Sequence, residues 1–411
     1  MRRRVGIIGA GASGMAAGIF AARAGAQVLL VEHMDRVGKK ILSTGNGRCN
    51  LTNLRMESDC FRSDEPDFPM KVVAAFPVDQ TLDFFDQLGI VPKSRNGYIY
   101  PNSDQASSVL DVLRGELERL GVEIRVSCQV KGVEAAGEGY RIRTEAGNFL
   151  VDSLILAAGS KAAPATGSDG SGYKLAEGLG HSVIKPLPAL VQLRCQGNLY
   201  RQLAGIRTEA KVELWADGKM LAWDQGELQL TDYGLSGIPI FQISRYGARA
   251  LDAGKRVKVY VDFMPSWEEK ESLVLLKKRA RSIGYKPAGE LFTGMLNRKL
   301  GQVLLKLSGK QLERLLGQLK HYEAIVMSVN PFANAQVCCG GVDTRQVNAH
   351  TLESRIRKNL YFAGEILDVD GICGGYNLQF AWSSGYVAGR SAALKGQSEN
   401  KPFREERGNR K

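Results

Sequence analysis

The sequence predicts an α/β fold in which a mostly parallel, Rossmann-like sheet is discontinuous along the chain and is interrupted by a β-rich domain and a helical insert. Three observations carry this reading. The first thirty residues alternate strand, glycine turn, helix and strand. The middle of the chain changes to short β segments. After Pro331 the opening texture returns. A length of 411 residues agrees, since domains of roughly 100–200 residues make two or three here.

The first strand is Arg4 to Ile8, followed by Gly9-Ala10-Gly11-Ala12-Ser13-Gly14, a small-residue helix from about Ser13 to Ala24, and a second strand from Gln27 to Val31 ending in Glu32. Helical spacing recurs over Asp79 to Leu88 and Ser107 to Leu120, with a strand at Gly121 to Val126. Short alternating strands at 130–133, 140–143 and 149–151 lead to the buried run Leu154 to Gly159. Ala189 to Cys195, Ala210 to Trp215 and Val257 to Phe263 read as β segments, and Ser266 with Glu269 sets a capping-box spacing that opens a helical insert. A late strand, Asn359 to Ala363, precedes a small-residue helix from Phe380 to Ala393. The expected organisation is a Rossmann-like domain in two parts, 1–188 and 331–394, around a β-rich substrate domain at 189–264 and a helical insert at 265–330. A basic, disordered tail at 395–411 ends the chain.

Composition narrows the function. With 44% hydrophobic and 24% charged residues the chain is globular. Its apolar runs are far shorter than the roughly 20 residues a membrane span needs, and glycines break what would be a leader's apolar core, so a cytoplasmic protein is expected. Seven cysteines without a CxxC pair or a Cys/His cluster speak against a disulfide scaffold and against a metal site. The net charge of +12 fits an anionic partner or solubility alone. No aromatic-interleaved basic segment is visible, so no nucleic-acid partner is expected.

Gly9-x-Gly11-x-x-Gly14 between strand and helix, with Glu32 closing the next strand, meets the requirements of a dinucleotide site. Gly9 permits the turn, Gly11 admits a pyrophosphate to the backbone, and Gly14 lets helix and strand close up. Glu32 accepts hydrogen bonds from both ribose hydroxyls and repels a 2′-phosphate, which favours FAD or NAD over NADP. The next segment, from Gly38 through Lys39, Lys40, Thr44, Gly45, Asn46 and Arg48 to Asn50 and Asn53, reads as a polar loop lying along an extended cofactor, with a lysine at phosphate. A second glycine-rich helix start, from Gly364 and Glu365 through Gly374-Gly375-Tyr376-Asn377-Leu378-Gln379, suits the negative charge on a reduced flavin. Two such starts at opposite ends of the chain indicate one long cofactor, FAD. The cluster Thr166 to Tyr173 lacks the fingerprint, so no separate nicotinamide domain is expected, and any electron donor, NAD(P)H or reduced flavin, would visit transiently.

These motifs resemble the bacterial "HI-type" flavoprotein family, also described as aminoacetone oxidase-like FAD-binding enzymes, over nearly the whole chain. The resemblance implies a two-dinucleotide-binding-domain fold with a β-barrel-like middle domain. It implies FAD contacts at Ala12, Ser13, Glu32, Lys40, Gly45, Asn50, Gly364 and Asn377, with the Val130 backbone near adenine. It also implies oxidoreductase chemistry, either reduction of a carbon–carbon double bond conjugated to a ketone in a steroid- or bile-acid-like apolar substrate, by hydride transfer through flavin N5, or oxidation of a small amine. The chain departs from the family pattern at Ala157-Ala158-Gly159-Ser160, Cys338-Cys339 and Gly237-Ile238-Pro239, departures that bear on substrate identity. An enone reductase needs a proton donor and a group at the substrate carbonyl, and Arg48 and Tyr376 are the candidates. Trp215, Trp223, Tyr233 and Phe241 are expected to roof an apolar cavity or to fill a core. Alternatives of another class are an RNA-associated flavoprotein and a redox sensor using Cys338-Cys339 or Cys373.

Overall fold

The computed structural model describes residues 2–309 and 311–394. The expected tail at 395–411 lies outside the described residues. Five parallel strands form the central sheet in the order Leu360–Phe362, Ser153–Leu156, Arg4–Ile8, Gln27–Val31, Glu123–Arg125. The edge strand Leu360–Phe362 therefore comes from the late part of the chain, while the other four come from its first 156 residues. Beyond their first residues, Ser153, Arg4 and Gln27, the three inner strands are apolar and buried, as a parallel sheet covered on both faces requires. Gly6 is needed in the middle strand, since a Cβ there would fall 2.8 Å from the Ile142 side chain of the antiparallel three-stranded sheet.

The helices Ala12–Arg23 and Tyr376–Leu394 lie against each other with almost no side chain between them. A Cβ at Gly385 would fall 2.6 Å from the Ser13 carbonyl oxygen, and one at Gly389 2.4 Å from that of Ala17. This contact holds the middle of the late helix beside the start of the early one, and Gly364, where a Cβ would come 2.3 Å from Ser13 Oγ, is where the late motif reaches the early one.

The middle of the chain is a closed six-stranded barrel, with strands from Leu193–Cys195 to Tyr322–Val329. Inward residues alternate, as in Ala210, Val212, Leu214 and Ala216, all buried in the barrel core. Several local expectations need correction here. The segment 189–195 is not one strand: Val183–Ala189 pairs with Val337–Val342, Leu190 turns with φ 48°, and Leu193–Cys195 then enters the barrel. The strand Lys219–Leu230 and the helix Ile238–Asp252 are additional, because polar alternation and glycines disguise them. The capping box is formed by Glu268 and Glu271, two residues beyond the Ser266/Glu269 spacing, so the helix begins at Glu269. Trp223 is 58% exposed and stands, like Trp215, on the outward parity of the barrel wall rather than over a cavity.

The barrel helix Ile238–Asp252 is joined to the segment before the late helix by a buried ion pair. Arg245 Nη2 donates to Asp370 Oδ1 at 2.9 Å, and Nε lies 2.8 Å from Oδ2. Beside them Arg249 donates to Asp64 at 2.9 Å, and Asp368 accepts from the backbone N–H groups of Asp64 and Gly340.

Candidate functional site

The first helix begins at a bare end. Gly11, at its N-cap, makes no side-chain capping bond, so the first-turn N–H groups face outward with the positive end of the helix dipole. They open into a cleft that is continuous with solvent. Gly9, Gly11, Ala12 and Ser13 form its floor, and Glu32, Lys39 and Lys40 stand on one side. Thr44, Val130, Glu365 and Leu378 complete the predicted set on its walls.

The three fingerprint glycines do different things. A Cβ at Gly11 would meet nothing within 4 Å and would project into free space. At Gly9, with φ 100°, it would strike the Ala157 carbonyl oxygen at 2.5 Å, and at Gly14 it would strike the Gly9 carbonyl oxygen at 1.9 Å. Gly14 thus closes helix onto strand and does not line the cleft. Glu32 is held rigidly, with Oε2 accepting from Ala10 N at 2.8 Å and Oε1 from Met34 N at 2.9 Å, and with His33 Nδ1 at 3.3 Å. Lys39 pairs with Asp35 at 2.7 Å, and Lys40 with Glu365 at 2.6 Å.

Other predicted residues shape the cleft without lining it. Gly45 and Asn46 both take φ 55° in the kinked turn between Ile41 and Gly47, a left-handed path that sharply redirects the loop. With its amide in the orientation that satisfies its neighbours, Asn50 donates to the Thr52 and Ile99 carbonyls and accepts from Gly375 N. Asn377 accepts from Gly371 N at 2.8 Å and donates to Gly371 O at 2.9 Å, pinning the late loop. A Cβ at Gly364 would come 2.3 Å from Ser13 Oγ, so this position is where the two motifs touch. Gln379, fully buried, accepts from Thr52 Oγ1 at 2.6 Å and donates to Phe76 O, Thr81 and Ser383.

Arg48 is exposed on its loop; its backbone N–H donates to Gly45 O at 3.2 Å, and its side chain forms no ion pair or hydrogen bond among the described residues. Tyr376 is 3% exposed, its ring edge-on to Phe61 and its hydroxyl beside the Cys60 thiol; burial holds its pKa well above the usual phenol value. Burial also pushes the Cys49 and Cys373 thiols up to about 12 and Cys339 up to about 11, so none is a thiolate at neutral pH.

Sequence reasoning missed one wall. Thr166, Gly167, Ser168 and Ser171 line the cleft although their cluster lacks the fingerprint, as do the strand-end residues Ala157, Ala158 and Gly159. The available signal was a glycine- and serine-rich segment directly after a buried strand. On the helix Ser171–Gly178, Tyr173 carries a buried hydroxyl with no hydrogen-bond partner among the described residues, close enough to Glu365 to feel its charge.

This arrangement fits a dinucleotide. It offers first-turn N–H groups at a glycine floor, open space where a Cβ at Gly11 would stand, and an oriented carboxylate eighteen residues beyond Gly14. Among the described residues no group of three or more His, Cys, Asp or Glu is placed to hold a metal ion, and no helix is long and apolar enough to cross a membrane.

Comparison with known proteins follows the same lines. The family described as the HI0933-like protein Rossmann domain matches residues 3–391. The chain is 46% identical over 404 residues to a 3-dehydro-bile acid delta(4,6)-reductase of Clostridium scindens, covering 95% of this chain and 99% of that protein. It is 29% identical over 389 residues to a ribosomal RNA dihydrouridine synthase of Escherichia coli, covering 93% and 96%. Among solved structures, a 3-ketosteroid delta1-dehydrogenase from Sterolibacterium denitrificans is similar with a TM-score of 0.49 and 13% identity, over 95% of this chain and 99% of that one.

Proposed function

The chain belongs to the HI0933-like family of Rossmann-fold flavoproteins, and from that premise we propose that it is an FAD-dependent reductase of a carbon–carbon double bond conjugated to a carbonyl. The observation that carries the substrate class is the 46% identity, over 95% of the chain, with a bile acid delta(4,6)-reductase. The substrate proposed is an apolar, steroid-like enone.

A reduced flavin, when bound, supplies hydride to the β carbon of such an enone. The chain's own residues do the rest. The first-turn N–H groups at Ala12 and Ser13 hold the pyrophosphate, Glu32 accepts from the ribose hydroxyls, and the Val130 backbone borders adenine. Lys40, fixed by Glu365, is the cation at phosphate. Arg48, free of ion pairs, holds the negative charge that develops on the substrate carbonyl oxygen. Tyr376 keeps its proton at neutral pH and is the second donor. The electron donor is a transient visitor, NAD(P)H or a reduced flavin. Oxidation of a small amine by oxygen is the alternative chemistry on the same cofactor.

A second substrate reading is favoured by the +12 charge together with the two relatives, 29% and 28% identical, described as ribosomal RNA dihydrouridine synthases. The 5,6 double bond of uridine is also conjugated to a carbonyl, so the chemistry is shared and the substrate differs. Mixing anaerobically reduced protein with a 3-oxo-delta-4 steroid or bile acid, and separately with unmodified ribosomal RNA, separates the two by which one reoxidises the flavin. Steady peroxide formation from aminoacetone in air, without reoxidation by either, would replace both with the amine oxidase.

A further inference from the structure

The positive charge is concentrated in one place. Residues 265–320 contain twelve Lys and Arg against five Glu, so seven of the chain's twelve net positive charges fall in this helical stretch of the insert. Within the helix Glu269–Ser282, Val274, Lys277, Lys278, Arg281 and Ser282 follow the three-and-four spacing of one face and line one shallow surface hollow.

The insert separates cations that hold the fold from cations that do not. Arg279 donates to the Leu291 and Thr293 carbonyls, and Lys320 is buried 2.6 Å from Asp262. Lys277, Lys278 and Arg281 are exposed, and their side chains have no ion-pair or hydrogen-bond partner among the described residues. The acids of the same helix are engaged at its start, where Glu268 and Glu271 form the capping box and Glu269 faces His321 at 3.6 Å. Three residues beyond the helix, Tyr285 is 81% exposed.

We propose that this face docks the phosphodiester backbone of an RNA, with Lys277, Lys278 and Arg281 at phosphates and the exposed ring of Tyr285, which carries Lys286 Nζ at 5.8 Å, stacking on a base. The proposal rests on the second substrate reading and names the surface that would hold such a substrate. Charge complementarity selects a polyanion, and the helix's apolar side decides which one. An interfacial helix must sink its apolar side among acyl chains, but here Leu276 is fully buried, and Leu273 and Leu275 pack on the barrel core. That leaves too little apolar surface for a bilayer.

The test uses the full-length flavin-loaded protein and a labelled single-stranded fragment of ribosomal RNA, followed by fluorescence anisotropy over a salt series. Wild type is expected to bind with a steep salt dependence. The triple variant K277Q/K278Q/R281Q should bind about a hundredfold more weakly near 0.1 M salt, with a log–log slope smaller by about 2, because each lost phosphate contact removes about 0.7–0.9 from the slope. Y285A should weaken binding without changing the slope. Flavin content and reduction of a small free enone should be unchanged in both variants. Equal RNA binding by wild type and the triple variant would overturn the proposal, as would wild-type binding to phosphatidylglycerol vesicles but not to RNA. If RNA binds through this face yet never reoxidises the flavin, the docking surface stands and the RNA substrate reading falls.

Discussion

Lys40 Nζ lies 2.6 Å from Glu365 Oε2, joining two motifs 325 residues apart in sequence. Ser160 Oγ donates to the same oxygen at 3.1 Å, so three segments meet at one carboxylate on the cleft wall.

That meeting predicts an asymmetry. Lys40→Met removes the cation proposed at phosphate and should raise the flavin Kd about tenfold, the worth of roughly 1.4 kcal/mol of charge-assisted bonding. Glu365→Gln frees Lys40 for phosphate and should leave the flavin Kd within about threefold of wild type. Titration of deflavinated protein with FAD measures both, and equal losses would make the pair structural only.

The glycine fingerprint predicts a separation of binding from stability. Gly11 has ordinary extended backbone angles and open space where a Cβ would stand. Gly11→Ala should therefore unfold within about 0.5 kcal/mol of wild type, as surface changes do, yet bind FAD at least about tenfold more weakly because the methyl group enters the cleft. Gly14→Ala should cost about 3 kcal/mol or fail to fold, since its Cβ meets backbone. Thermal unfolding of the flavin-free proteins and FAD titration distinguish the two.

How far the sequence could be read depended on how local the cause was. The first strand–turn–helix–strand unit was legible to within a residue at its boundaries, because tight turns, apolar runs and Glu32 are each local signals. The site residues that line the cleft at Gly9, Gly11 and Glu32 follow from that unit. The wall at Thr166 to Ser171 did not, because its place beside the cleft is set by the pairing of Ser153–Leu156 with Arg4–Ile8 across 148 residues or more. Barrel closure was equally hidden: it depends on Tyr322–Val329 pairing with both Val257–Asp262 and Leu193–Cys195. Asn50 and Asn377 show the converse, since polar residues in a glycine-rich motif are here engaged in holding the backbone.

The Arg245–Asp370 pair predicts a pH dependence. Burial is the main cause that pushes the Asp370 carboxyl up to about 6, against the attraction of Arg245. Because the folded value lies above the unfolded one, the native state binds the extra proton. Its contribution to stability is full below about pH 4 and is lost as pH rises through 6. The stability difference between wild type and Asp370→Asn should therefore shrink by up to about 3 kcal/mol between pH 4 and pH 7. Urea unfolding at a series of pH values measures it, and a difference independent of pH would contradict the assignment.

The most direct measurement is a single anaerobic turnover in deuterated water, with dithionite-reduced protein, a 3-oxo-delta-4 bile acid and mass spectrometry of the product. Reduction of the conjugated double bond predicts that the product gains two hydrogens, with deuterium at the β carbon because the hydrogen on N5 of a reduced flavin exchanges with solvent before transfer, and that the flavin is reoxidised in step. Recovery of unchanged bile acid with the flavin still reduced, under conditions where the reduced protein is reoxidised by oxygen, would contradict the account.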